Sequence, residues 1–270
     1  MSNETPRLSP QTPRPPRRRT LRGILLRAAA VFLTVLVATE ITLQLTSNES
    51  GAAKDVLAQL QQIPTATRSD AVDQVAGRRG FMSYDMRPIG LRGRMAGRAK
   101  TCVWAPLKTD SPKEMDNGPK HGVEIIDESG PGDILVVVTG DLNITGLGGL
   151  MATTAKIRDM SGVVVDGAVR DVPEIEELGL NVFARSISPA TMKGRAMSLA
   201  RDLQVLCGGV TVSPGDYIVG DRDGVVCIPA GDIDGVLKKA LEMEETEKKM
   251  RPMLYKVKSL QKAVQLFKRI

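Results

Sequence analysis

From about residue 52 the chain switches between two kinds of hydrophobic spacing. "AAKDVLAQLQQI" and "SDAVDQVAGRRG" carry apolar residues at helical intervals. The second predicts a helix with Ser69 or Asp70 as N-cap and Gly77 or Gly80 at its end. "RMAGRAKTCVWAP" alternates like a strand. A regular order follows: strand "DILVVVTG", glycine-rich loop "LNITGLGG", helix "LMATTAKIRDM", strand "GVVVDGAV", helix "VPEIEELG", strand "NVFARS". Helices alternating with β-branched apolar strands predict an α/β fold with a parallel sheet buried on both faces. "VTVSPGDYIVGDRDGVVCIPA" then predicts short strands joined by Pro-Gly-Asp and Asp-Arg-Asp-Gly turns. A helix from about Asp232 to Met250 is expected to break before Pro252. A second, basic amphipathic helix should place Leu254, Val257, Leu260, Val264 and Phe267 on one stripe.

The start of the chain reads differently. Residues 1–22 are rich in Pro, Arg, Ser and Thr and predict a disordered basic tail. Residues 23–46 contain the apolar run Ile24–Leu45, bracketed internally by Arg27 and Glu40. The uncharged part is shorter than the roughly 20 residues a span needs, but snorkelling of Arg27 would extend it. The arginines ahead of it favour a membrane anchor with a cytoplasmic tail. The alternatives are a cytoplasmic protein whose apolar segment docks on the domain, and a signal or transit segment that is cleaved.

Composition narrows the chemistry. The net charge of +6 comes from basic residues crowded at the two termini. Aromatic residues are only 3% of the chain, too few to interleave with basic ones as a nucleic-acid platform requires. Nucleic acid is therefore not an expected partner. Cys102, Cys207 and Cys227 form no CxxC, and His121 is the only histidine, placed in a polar stretch. Zinc sites built on several His or Cys ligands are excluded, and any metal must be a hard ion on oxygen ligands, such as Mg²⁺ or Mn²⁺.

Two local patterns could carry chemistry. "TGLGG" lacks the third glycine of a dinucleotide fingerprint and the Lys-Ser/Thr of a P-loop. What remains is a Gly-Gly turn at a helix N-terminus, suited to a carboxylate or phosphate, or simply a tight turn. Asp171-Val-Pro-Glu174 is a good capping pattern, so Asp171 could be no more than an N-cap and Arg170 a surface charge. Yet both patterns follow strands of a parallel sheet, and ligands gather at the carboxyl ends of such strands. An Arg fork, a carboxylate and backbone donors at one edge would suit a small 2-oxo acid.

"GGLMATTAKIRDMSGVVVDGAVRDVPEIEELGLNVFAR" resembles the central segment of the RraA-like family, which includes 4-hydroxy-4-methyl-2-oxoglutarate aldolases and oxaloacetate decarboxylases. "SDAVDQVAGRRGFMSYDMRPI", "GPGDILVVVTG" and "VSPGDYIVGDRDGVVCIPA" resemble it in the same order, so that the likeness covers residues 52–241. The resemblance implies an αββα sandwich of the swivelling β/β/α kind, assembled as a homotrimer or homohexamer. It also implies a class II, Mg²⁺- or Mn²⁺-dependent pyruvate aldolase or decarboxylase. By position, Gly148, Gly149, Leu150 and Met151 would be the substrate-holding loop, Arg170 would bind the substrate carboxylate, and Asp171 would ligate the metal. Residues 242–270 would be a helical extension outside the resemblance.

The chain departs from the family where the aldolases carry an acidic residue after the first loop glycine; here stands Gly149. That departure predicts oxaloacetate decarboxylation in preference to aldol cleavage, unless Asp141 or an acid of a neighbouring subunit substitutes. Glu244, Glu245 and Glu247 are candidates for the neighbour's acid. Other members of the family act by binding, as regulators of RNase E, so a non-catalytic protein-binding module is the rival reading.

Overall fold

The computed structural model describes residues 55–107 and 120–268. The expected tail and the apolar run Ile24–Leu45 lie outside the described residues. Among the described residues no helix is long and apolar enough to cross a membrane.

Among the described residues, eleven strands and six helices follow a first helical stretch at 55–62. They are α1 (Thr65–Ala76), β1 (Arg87–Gly90), β2 (Met95–Pro106), α2 (His121–Glu128), β3 (Asp133–Val138), β4 (Thr145–Leu147), α3 (Gly149–Ile157), β5 (Gly162–Val169), α4 (Val172–Leu178), β6 (Val182–Ile187), β7 (Ala196–Arg201), β8 (Val205–Cys207), β9 (Val210–Val212), β10 (Tyr217–Asp221), β11 (Gly224–Ile228), α5 (Ile233–Val257) and α6 (Leu260–Phe267). The main sheet runs β1-β6-β5-β3-β2-β10-β11, with β4 beside β5 and β7 beside β2. Its centre is parallel, as the alternating pattern predicts, through the pairs β2–β3, β3–β5, β4–β5 and β5–β6. The flanks are antiparallel, which makes the sheet mixed rather than all-parallel. Arg87 on one edge strand donates to the Asp223 carbonyl in the β10–β11 turn at the other edge, so the sheet is nearly closed.

The valine runs are explained by burial on both faces. Leu135, Val137, Val163, Val165 and Val169 face a core shared with Ile125 and Ile126 of α2, Ala152 and Ala155 of α3, and Ile175 of α4. Ile134, Val136 and Val164 point the other way, onto Met82, Met86 and the β8–β9 hairpin. One face is thus covered by helices and the other by a β-hairpin. A third cluster packs α1 and α5 against Tyr217, Val219, Val226 and Ile228.

Three helix boundaries differ from expectation. α1 begins at Thr65, not after Ser69 or Asp70, because Pro64 fixes the entry and a distant carboxylate supplies the cap: Thr65 N–H donates to Asp221 Oδ2 at 2.9 Å. Its end at left-handed Gly77 is as the sequence predicts. α5 runs unbroken across residue 241 and through Pro252 to Val257. Pro252 is exposed, so the carbonyl it leaves without an N–H faces water, while Met250 remains buried just ahead of it. The chain breaks instead at left-handed Lys258, and Ser259 caps α6 by accepting from Lys262 N–H.

Candidate functional site

The strands β4 and β5 end side by side. Thr145 pairs with Ala168, Leu147 pairs with Val169, and Arg170 N–H donates to the Leu147 carbonyl at 3.1 Å. "LNITGLGG", expected to be all loop, thus contains a short strand that delivers the glycines to the sheet edge. Each strand runs straight into a helix, α3 or α4, so two helix N-termini open at one edge. That is the carboxyl end of parallel strands, where the sequence placed the site.

Gly148 and Gly149 are the N-cap position and first residue of α3 rather than a free loop. A Cβ at Gly148 would stand 3.0 Å from Arg170 Nε and 3.1 Å from Asp171 Oδ2, so glycine lets the two turns approach closely. Ala152 N–H makes the first intrahelical bond, to the Gly148 carbonyl at 3.0 Å. The N–H groups of Leu150 and Met151 precede it at the positive end of the helix dipole. Leu150 is 87% exposed, whereas Met151 packs against the core below.

Asp171 stands at the N-cap position of α4, with Pro173 in the first turn, as the capping pattern predicts. Its side chain, however, makes no cap hydrogen bond. The backbone is left-handed, φ 58° and ψ 42°, and the carboxylate turns to the neighbouring helix instead: Oδ2 accepts from Gly149 N–H at 2.8 Å. The same oxygen lies 3.5 Å from Arg170 Nε, in a pair whose side chains are 40% and 38% exposed. Arg170, Asp171 and the first turn of α3 are therefore one cluster. Among the described residues no partner engages Asp171 Oδ1 or the terminal nitrogens of Arg170.

The other candidates lie in different surroundings. Asp141 is committed to its own turn, its Oδ1 accepting from Asn143 N–H at 2.7 Å and from Asn143 Nδ2 at 3.1 Å. Glu244 accepts from Thr67 Oγ1 at 2.7 Å and ties α5 to α1. Glu245 and Glu247 pair along α5 with Lys248 and Arg251. A groove of about 700 Å³ beside α5, lined by Gln59, Leu237, Leu241 and Glu245 among others, contains none of the Arg170–Asp171 cluster. His121 opens α2 rather than sitting in a loop, with Nδ1 2.9 Å from Ser198 Oγ. All three cysteines are buried free thiols, and burial pushes Cys102 up to about 12, which removes it as a nucleophile at neutral pH.

One residue escaped the sequence reading. Glu174 reads as the second half of a capping box, yet a Cβ at Gly149 would lie 1.9 Å from Glu174 Oε2. Its carboxylate therefore lies over the first turn of α3. The available signal was the spacing: Glu174 is one helical turn from Asp171 and so on the same side of α4.

Comparison with known proteins identifies the family. The RraA-like family model, described as Aldolase/RraA, matches residues 65–227 and so includes the whole cluster. A Halalkalibacterium halodurans protein named "Putative 4-hydroxy-4-methyl-2-oxoglutarate aldolase" is 32% identical over 193 residues, covering 71% of this chain and 84% of that protein. The Thermus thermophilus 4-hydroxy-4-methyl-2-oxoglutarate aldolase is 32% identical over 146 residues, covering 53% of this chain and 80% of its own. Among solved structures, Streptomyces coelicolor RraAS2, described as an unusual member of the RNase ES inhibitor RraA family, superposes with a TM-score of 0.66 at 27% identity. That match covers 74% of this chain and 98% of RraAS2. With its mixed, nearly closed sheet and a family match spanning most of the domain, the chain belongs to the RraA-like family.

Proposed function

We propose that the protein is a divalent-metal-dependent carbon–carbon lyase that releases pyruvate from 2-oxo diacids, of the oxaloacetate decarboxylase and 4-hydroxy-4-methyl-2-oxoglutarate aldolase type. The observation that carries this reading is the Asp171 carboxylate, held by one oxygen on Gly149 N–H and exposed beside the Arg170 guanidinium. A carboxylate so held keeps its other oxygen for a ligand. That fits a hard cation taking one protein oxygen and completing its shell with water and substrate oxygens. Among the described residues no group of three or more His, Cys, Asp or Glu side chains could hold a metal, so the proposed site has a single protein ligand, the Asp171 carboxylate oxygen left open beside Arg170.

Arg170 offers a planar fork to a substrate carboxylate, and the Leu150 and Met151 N–H groups add donors at the helix end. The Gly148 backbone lets substrate lie close to both. A bound Mg²⁺ or Mn²⁺ supplies acceptance of the negative charge that develops when the bond beside a 2-oxo group breaks. Exposed Leu150 and Ile157, one and eight residues into α3, suit contact with further copies in a homotrimer or homohexamer.

The test is pyruvate release from oxaloacetate, measured with Mg²⁺, with Mn²⁺ and with chelator. Metal-stimulated release well above the free-metal rate is expected. No release over that background would overturn the lyase reading and favour the rival one, a protein-binding regulator.

A further inference from the structure

Helix α5 changes character along its length. Its first half buries Ile233, Val236, Leu237, Ala240 and Met243 in the core shared with α1. Beyond Met243 only Met250 of α5 and Ala263 of α6 are buried among the described residues. The chain turns at left-handed Lys258, Ser259 caps α6, and α6 packs against α5. The result is a helical arm with little core of its own.

The charge pattern changes over the same stretch. Up to Arg251 acids and bases pair along the helix, Glu245 with Lys248 and Glu247 with Arg251. That is how a merely solvated helix face is built. Glu247 is the last acidic residue in the sequence. Lys256, Lys258, Lys262 and Lys268 are exposed, and none has an ion pair among the described residues. Among these lysines stand large apolar side chains in water: Tyr255 is 85% exposed, Leu260 56% and Leu266 64%. We propose that this arm, residues 254–268, docks the protein on an anionic lipid surface.

Unpaired lysines are drawn to headgroup phosphates, and exposed apolar side chains enter the boundary below them, as in helices that lie in a bilayer interface. A nucleic acid would use the lysines but leave Leu260 and Leu266 in water, and a stacking platform needs a series of aromatics where only Tyr255 is exposed. The arm lies outside residues 65–227, the stretch that matches the family model, and docking is independent of the lyase reading.

The test uses the full-length protein with vesicles of phosphatidylcholine alone or mixed with phosphatidylglycerol. Leu266→Cys carries a polarity-sensitive dye, since the three native cysteines are buried. The dye reports this arm and not the apolar run at residues 24–45. Its emission should shift to the blue on mixed vesicles and not on neutral ones. The shift should weaken as salt rises from about 0.1 M to about 1 M, where the screening length falls from about 10 Å to about 3 Å. Changing Lys256→Gln, Lys258→Gln and Lys262→Gln together should lower partition of the unlabelled protein onto mixed vesicles about 10²-fold, at about fivefold for each charge removed. The melting temperature should stay unchanged, because these lysines make no ion pair. An absent shift, an equal shift on both kinds of vesicle, or unchanged partition in the triple variant would overturn the proposal. So would a blue shift produced by an oligonucleotide or polyglutamate but not by mixed vesicles, or one that grows with protein concentration alone, which would assign the arm to a second copy.

Discussion

Two of the arginine–aspartate clusters among the described residues lie on neighbouring parts of one sheet, and they are built to opposite ends. Arg185 on β6 binds Asp85 through Nε and Nη2 at 3.0 and 2.9 Å and Asp166 through Nη1 at 2.9 Å. Asp166 is further engaged by Gly208 N–H, which ties β5 to the β8–β9 hairpin. Every guanidinium nitrogen is occupied. The hydrogen bonds from Arg185 hold the Asp85 carboxyl below the usual carboxylate range, and the two aspartates raise the guanidinium in turn. Arg170 and Asp171 share a single longer contact and keep donors and an acceptor oxygen toward solvent. The same residue types make a brace where the guanidinium is filled, and on the proposed reading a receptor where its donors are left open.

Substitutions should separate the two clusters by what each one damages. The largest effect is expected from Asp171→Asn, which keeps the shape and the acceptor for Gly149 N–H while removing the charge. Turnover should fall about 10²- to 10³-fold, as when a charge-stabilising group is lost from a site, with the melting temperature nearly unchanged. Steady-state kinetics beside a thermal melt will show it, and a matching loss of stability would mean that Asp171 is itself a brace. Arg170→Lys comes next. A point charge does not reproduce the fork, so KM for oxaloacetate should rise about 10- to 100-fold, equivalent to one charge-assisted hydrogen bond. Smallest in its consequence for chemistry is Arg185→Met, which leaves two aspartates without their shared partner. It should destabilise by about 1–3 kcal/mol and lower the melting temperature by about 2–12 °C, while KM at the other cluster is conserved.

The sequence carried the parallel centre of the fold, because the valine runs of β3 and β5 and the helices between them obey one spacing rule. It also brought the Gly-Gly turn and Arg170-Asp171 to one edge. It did not carry the antiparallel closure, since pairing of β1 with β6 and β10 with β2 joins strands far apart in the chain. Nor could it show which way Asp171 and Glu174 point. The local pattern describes a capping box, and only the neighbouring glycine N-terminus, delivered by β4, offers their carboxylates another destination. Capping of α1 failed for the same reason, its donor being met by Asp221 from a remote strand. Local rules fix which residues sit at a helix end; tertiary neighbours decide what their side chains do there.

The left-handed backbone of Asp171 has an evolutionary corollary. Aspartate, asparagine and glycine enter that conformation readily, whereas other side chains pay roughly 1–2 kcal/mol to do so. On the lyase reading proposed above, a descendant that lost the activity would have a narrow exit at this position. Asparagine is reached by a single-nucleotide change and keeps the turn, so it is the natural first trace of a lineage that has given up chemistry while retaining the fold. A bulkier residue at 171 would instead mark a protein whose α4 had already been rebuilt, and the two kinds of silent relative could be told apart from sequence at this one position.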